Sequence, residues 1–425
     1  MNDAHMMAAL QQQSFRYFLH EANPASGLVR DSTAPGAPAS IAATGMGLSV
    51  YPLGVERGWM ARADACARSL ATLRFLANSV QGPQQDASGY HGFYYHFLEP
   101  ASGRRTWSSE LSSIDTALLM AGVLTAAWYF DRDDPDEVEL RQLADALYLR
   151  VDWRWMLNGG ALLRHGWQPG QGFLPGHWQG YDEALLLYLL ALASPSHPIG
   201  ADSYAAWAAG GVWRQFYGID YLYAGPLFIH QLPQLWLDLR GLRDARMRLH
   251  GSDYFDNSRR ATLVQQQYAI DNPQQWASYG ALCWGITAGD GPGDVVRVVD
   301  GIERRFFGYE ARGAPAGPDD GTLAPWSVAA SLPFAPQLVL DTVAQFQRMN
   351  LHDRHPYGFH ASFCDSYRDV DGRRGWISPN HYGLNLGPTV LMIGNHYHDL
   401  PWRLWRASPL LRQALLKAGF SGGWL

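Results

Sequence analysis

The chain has 425 residues, with 33 basic against 39 acidic side chains and a formal net charge of −6. Apolar types reach 47% and charged types only 17%, below the rough quarter of soluble domains, which supplies a sizeable core and excludes disorder, coiled coil and collagen as the main architecture. Lys417 is the only lysine, no stretch is basic enough for a nucleic-acid footprint, and the longest apolar run, 184–193, is too short for the about 20 residues that cross a bilayer.

Taken in chain order, the first residues, MNDAHMMAALQQQSFRYFL, lack a basic start, an apolar run and a small-residue cleavage site. A cytoplasmic chain is the expectation from that, with the periplasm as the alternative had a leader been removed. Apolar residues at three- and four-residue spacing then predict helices over 14–21, 59–79, 114–130, 137–150, 183–193, 226–240, 256–272, 295–307, 336–350 and 388–405. Each is bounded by Gly, Pro, Asn or Asp. The stretch 31–47, rich in Ala, Pro, Ser and Gly, reads as a loop, and 308–321 as another. Short hairpins fit 90–97 and 161–167. Cys66, Cys283 and Cys364 lie far apart, form no CxxC pattern and argue against a disulfide scaffold.

Ten to twelve helices in this length give roughly 35 residues per helix-plus-loop unit, with no self-similar repeat at a fixed period. That suits an all-α chain, an (α/α)6 toroid in one domain spanning 1–425, with long loops building a cleft at one end.

The polar and aromatic residues gather in loops that precede helices. One cluster holds Tyr94, His96, Arg104, Arg105, Trp107, Glu110 and Asp115; a second holds Trp167, His177, Trp178, Tyr181, Asp182 and Glu183; a third holds Trp376, Asn380, His381, Tyr382 and Asn385. A fourth, thinner one is Asp253, Asn257, Arg259 and Arg260. Indole and phenol faces stack on sugar C–H faces, while Asp, Asn, His and Arg bond hydroxyls, so a groove lined this way fits an oligosaccharide. Each tryptophan has a plainer reading as filler at helix junctions. Glycosidic cleavage needs an acid for the leaving oxygen and a second carboxylate as base or nucleophile; Glu110, Asp115 and Glu183 are the candidates. The same residues have structural readings: Ser112-x-x-Asp115 as a capping box, Asp182 as an N-cap and Glu183 as a first-turn acid. No metal site is expected, since His396 and His398, two apart on a helix, point to different faces. No phosphate loop, dinucleotide fingerprint, HExxH or Gly-x-Ser-x-Gly elbow is present.

The segments YFLHEANPASGLVRD, GFYYHFLEPASGRRTWSSELSSIDTALLMAGVLTAAWYF, YDEALLLYLLALASPSHPI, YGALCWGITAGDGP, DDGTLAPWSVAASLPFAP and YGLNLGPTVLMIGNHYHDLPWRLW resemble, together and in order, the glucoamylase-like family of bacterial (α/α)6 proteins, which includes endo-β-1,2-glucanases and the related domain of cyclic β-1,2-glucan synthases. The resemblance implies an inverting hydrolase of β-1,2-glucan or its oligosaccharides, without cofactor. Glu110 and Asp115 match the family's acidic pair and Glu183 its YxEAL glutamate. Were Glu110 and Asp115 an inverting pair, their carboxyls would stand roughly 6.5–9.5 Å apart.

Glu183 is then assigned as general acid, with Asp115 or Glu110 activating water. Trp107, Trp167, Trp178, Tyr181 and Trp376 would form subsites. Arg30, Asp31, Tyr94, His96, His177, Asp182, Asn380, His381 and Asn385 would bond or line the sugar. Three segments depart from the family pattern. Acids give way to Ala361 in YGFHASFC, Asn385 in GLNLGP and Gly394 in IGNH, and Cys364 replaces an Asn. The alternatives are a transglycosylase, a polysaccharide lyase, against which the sparse basic residues speak, and a glycan-binding protein that has lost its acids.

Overall fold

The computed structural model describes residues 2–352 and 356–425. Its helices are of two kinds. Helices α1 (Asp3–His20), α3 (Arg62–Asn78), α5 (Pro135–Arg150), α7 (Ala201–Ala209), α10 (Tyr254–Asp271) and α12 (Pro336–Arg348) bury one face. Alternating with them in the chain are α2 (Ile41–Glu56), α4 (Ser113–Tyr129), α6 (Leu185–Ala193), α8 (Leu227–Gln231), α11 (Pro325–Ala329) and α13 (Gly383–His398), which are buried along most of their length. A helix apolar all round belongs inside other helices rather than against solvent. The buried set packs in sequence, α13 on α2, α2 on α4 and α4 on α6, with α11 closing onto α13. Gln231 at the end of α8 donates to Ser327 O and Ser331 Oγ at 2.6 and 2.8 Å, tying α8 to α11. Three short helices, α9 (Ala245–Leu249), α14 (Leu400–Arg406) and α15 (Pro409–Lys417), complete the described set. Among the described residues no helix is long and apolar enough to cross a membrane.

Strands are short and lie in the loops. A five-stranded antiparallel sheet runs Gly89–Tyr90, Phe93–Tyr95, Leu111–Ser112, Gly166–Gln168 and Gly172–Phe173. It gathers the segments expected at 90–97 and 161–167 and sets them at the start of α4.

Four expectations are corrected. The stretch 295–307 is a hairpin, Val295–Val299 against Ile302–Phe306, not a helix. Its VVRVV run is β-branched, and Asp300-Gly301 both take positive φ (50° and 82°), the two-residue turn that strand twist favours. The loop expected over 31–47 ends at Ser40, whose hydroxyl accepts from the Ala43 amide and starts α2. Gly45 and Gly122 explain why a Gly-containing segment is helical. A Cβ on Gly45 would stand 2.3 Å from Leu118 O, and one on Gly122 would stand 2.1 Å from Gly45 O. The two backbones touch, and that tertiary packing overrides the poor helix propensity of glycine. The contact also fixes α4, whose first turn carries Asp115. Elsewhere the expected 226–240 helix stops at Gln231 and continues as a 3-10 turn, Leu232–Leu235, and the 388–405 helix starts earlier, at Gly383, and breaks at Asp399.

Candidate active site

Antiparallel register builds the first wall. Tyr94 pairs with Ser112 and Tyr95 with Leu111, so the next pair outward is His96 with Glu110, sealed by the His96 amide donating to Glu110 O at 2.9 Å. Their side chains meet as well: His96 Nδ1 lies 3.0 Å from Glu110 Oε1. The ring's other nitrogen, Nε2, faces Asp115 Oδ1 at 3.7 Å. Ser112 caps α4 by accepting from the Asp115 amide (3.2 Å), and its hydroxyl donates to Asp115 Oδ2 at 2.5 Å. The structural and functional readings of Asp115 therefore hold together: it sits in a first turn and lines a cavity.

That cavity has a volume of about 600 Å³. Asp31, His96, Glu110, Asp115 and Glu183 line it with Trp178, whose Nε1 donates to Ser113 Oγ at 2.9 Å; Asp290, Tyr309, Tyr382 and Asn385 complete the polar lining.

The Glu183 wall is built differently. Tyr181 O–H lies 3.1 Å from His230 Nδ1, and His230 Nε2 faces Ala224 O at 3.1 Å. A carbonyl only accepts, so Nε2 carries the proton and Nδ1 accepts from Tyr181. Burial pushes His230 down to about 4, which keeps this arrangement neutral. Asp182 accepts from Trp207 Nε1 at 2.8 Å and from the Ala184 amide at 3.0 Å. The two residues before Glu183 are thus held by His230 and Trp207, and Glu183 lines the cavity.

The electrostatics follow. Burial, aided by the charges of Asp115 and Asp182 and opposed by His96, pushes Glu183 up to about 8. Burial likewise raises Asp31 to about 6, with Asp115 adding to it and His96 opposing. Glu110 goes the other way: burial would raise it, but the hydrogen bond and charge of His96 prevail and lower it. Burial disfavours the charged form of His96, yet Asp115, Glu110 and Asp31 outweigh it and hold the ring up at about 9. At neutral pH the cavity thus has a protonated carboxylic acid facing a charged imidazolium set among carboxylates.

His96, Glu110 and Asp115 bring ligand-type atoms within 4.8 Å of one another, as no other described trio of His, Cys, Asp or Glu does. One ion cannot take both ring nitrogens, however, and each nitrogen already faces a different carboxylate. The same spacing brings Glu110 and Asp115 closer together than the roughly 6.5–9.5 Å of an inverting pair, so the expectation of an inverting pair made of these two is corrected. His96 stands between them, with one carboxylate at each ring nitrogen.

Of the residues singled out in the sequence, Asp31, His96, Glu110, Asp115, Trp178, Glu183, Tyr382 and Asn385 come together in this cavity. The others lie outside its lining. Tyr94 is buried in packing and donates to Leu76 O at 2.9 Å. Arg30 pairs with Glu21 at 3.3 Å and donates to Ala34 O at 2.8 Å. Trp167 packs against Tyr90 and Trp155. Tyr181 and Asp182 serve the loop as described. His177 is exposed beside Gln179, Trp376 packs beside Cys364, and His381 is buried against Tyr357 and His360. Asn380 accepts from Ser378 Oγ through its carbonyl. Trp107 is 64% exposed on a loop, 5.1 Å from the ring of Phe97 at the cavity edge. Among the fourth cluster, Asn257 is buried and bonds Leu222. Of the three positions where the family's acids are replaced, only Asn385 lines the cavity; a Cβ on Gly394 would meet Leu53 at 2.6 Å in the packing of α13.

Sequence reasoning missed Asp290, held by Ser378 Oγ at 2.7 Å, and Tyr309, in the loop read as ordinary. His165, Phe97, Phe228 and Trp326 also line the cavity. The GDGP segment around Asp290 was part of the family pattern; nothing local marked Tyr309.

The model of a family described as "putative glucoamylase" matches residues 175–409, more than half of the chain. A curated protein of Parabacteroides distasonis, named exo β-1,2-glucooligosaccharide sophorohydrolase (non-reducing end), is 27% identical over 98% of this chain. This chain spans 58% of that protein's length. A solved structure described as a putative glucoamylase of Bacteroides uniformis superposes with a TM-score of 0.88 at 28% identity, covering 100% of this chain and 99% of that one. A β-1,2-glucanase structure from Parabacteroides distasonis gives 0.86 at 25% identity, over 99% of this chain and 60% of that one.

Proposed function

We propose, from the premise that this chain belongs to the glucoamylase family whose model it matches, that it is a glycoside hydrolase that cleaves β-1,2-linked glucooligosaccharides with inversion. The six buried helices and the six that alternate with them support an (α/α)6 toroid in one domain, with the cavity among its loops. The observation that carries the reading is the contrast across that cavity: Glu183 pushed up to about 8 opposite Glu110 lowered by His96. Two carboxyl groups driven apart in this way mark an acid and a base side. The names of the two relatives from Parabacteroides distasonis supply the linkage.

In the reaction, Glu183 gives its proton to the glycosidic oxygen as the bond from that oxygen to the anomeric carbon breaks. A water on the opposite face attacks the anomeric carbon, and Asp115 takes the water's proton. Trp178 offers an indole face, and Asp31, Asp290 and Asn385 accept from or donate to hydroxyls. The cavity lies within the roughly 300–1,000 Å³ of small-ligand sites, which suits the end of an oligosaccharide. No step calls for a cofactor.

Incubation with linear β-1,2-glucooligosaccharides, with products followed by proton NMR, tests this. Release of a product whose new reducing end starts as the α-anomer is expected. A β-anomer would overturn inversion, transfer products growing with added acceptor would make it a transglycosylase, and binding without any cleavage would make it a glycan-binding protein.

A further inference from the structure

The hydrolase reading leaves two carboxylates, Asp115 and Glu110, on the water-activating side, and the geometry separates their roles. We propose that His96 is a positioning residue, clamped by Glu110 at one ring nitrogen so that the other holds the Asp115 carboxylate in place for the attacking water, and that Glu110 serves His96 rather than the sugar. The inference rests on the hydrolase reading above.

Five contacts carry it. The strand register sets His96 beside Glu110, and the backbone bond between them locks the pair. The ring lies flat on Phe97, with centroids 3.9 Å apart and planes 13° apart, which removes its freedom to turn. Glu110 at 3.0 Å from Nδ1 then fixes which way Nε2 points, and it points at Asp115 Oδ1. Ser112 takes the other oxygen of Asp115, so both carboxylate oxygens are oriented while the group still lines the cavity. An orienting carboxylate behind a histidine is a recurring device for fixing ring direction and protonation.

The groups that face His96 are acidic on every side: Asp31 from the loop before α2, Glu110 from the strand beside it, Asp115 from α4 and Glu183 from the loop before α6. The nearest basic neighbour of Glu110 is Arg105. Asp115, Glu110 and Asp31 keep the ring positively charged to about pH 9 against the effect of burial. Taking Glu110 away removes both a hydrogen bond and a charge from that balance.

The test uses the full chain, as wild type, Glu110→Gln and His96→Gln. The imidazole of His96 is titrated by NMR, its signal assigned by its loss in His96→Gln, and kcat and KM are measured across pH on a β-1,2-glucooligosaccharide. In wild type the ring should stay charged beyond pH 8. In Glu110→Gln its midpoint should fall by about one unit or more, with kcat reduced about tenfold or more, the equivalent of that unit, KM nearly unchanged, and the alkaline limb of kcat moved to lower pH. An unmoved His96 midpoint in an active enzyme overturns the clamp. So does a shifted midpoint with unchanged kcat, or a rate loss as deep as that of Glu183→Gln with the midpoint unmoved, which would put Glu110 on the substrate itself. A wild type inert on every β-1,2-linked oligosaccharide overturns the hydrolase reading instead, and the titration alone then decides whether Glu110 holds the ring.

Discussion

The two walls of the cavity handle charge in opposite ways. The wall made by the five-stranded sheet, the start of α4 and the loop before α2 collects it: Asp31, Glu110 and Asp115 surround a histidine that they keep protonated. The wall made by the loop before α6 desolvates it, and burial raises both Asp182 and Glu183. Tyr181 and Asp182 are pinned to His230 and Trp207, and among the described residues Glu183 has no ion-pair partner, so that desolvation governs it. The same residue type is lowered on one side and raised on the other. Chemical role is thus set by what surrounds a carboxyl, and identity alone would have left the three acids interchangeable.

The sharpest way to break this contrast is Glu183→Gln. The substitution keeps shape and removes the proton donor, so kcat should fall by about 10²–10⁴-fold while calorimetric affinity for the oligosaccharide holds. Equal activity would remove Glu183 from the mechanism.

Next in size is the scaffold that holds the charged wall. Gly122→Ala pushes a methyl into the backbone of α2, and forced overpacking of this kind costs about 1–3 kcal/mol. Thermal and urea melts should show it, and a neutral Gly122→Ala would mean that α2 and α4 can separate at no cost.

The raised acid also has a signature in stability. Its folded pKa of about 8 lies above the ordinary 4.5, so the folded state holds the proton more tightly, and folding is progressively disfavoured as pH rises from about 4.5 to 8. Glu183→Gln lacks that penalty. Its melting temperature should exceed that of wild type at pH 8, with the gap closing toward pH 4.5; a gap that is constant or reversed would contradict the raised value.

The smallest effect expected is at Tyr309, which is 77% exposed at the cavity rim. Tyr309→Ala should leave the melting temperature alone and raise KM for the oligosaccharide. An unchanged KM would place it outside the sugar's path.

The charged wall was readable in the sequence because it is local. The stretch from Tyr94 to Asp115 carries its own strand register and helix cap, so neighbours in sequence become neighbours in space. The Glu183 loop was readable as a site, but the partners that set its chemistry were not: His230 and Trp207 lie far along the chain and carry no marker of proximity. Helix α2 escaped notice because its glycines, read locally, spell a loop, and only contact with α4 makes them useful. The 295–307 error has a different cause. An Asp-Gly turn after a β-branched run is a hairpin signal, and apolar spacing alone cannot tell such a segment from a helix. Tyr94, Trp167 and His381 were chosen for residue type in polar stretches, yet they pack into the body, where aromatic bulk is equally at home.

The claim that Glu183 is the proton donor is tested most directly by leaving-group chemistry. Wild type and Glu183→Gln are compared on a natural β-1,2-glucooligosaccharide and on an aryl β-1,2-glucooligosaccharide whose phenolate departs without protonation. The account predicts that the variant loses the natural substrate far more severely than the aryl one. Equal losses on both would contradict it, because a residue whose removal hurts every leaving group alike is not delivering the proton.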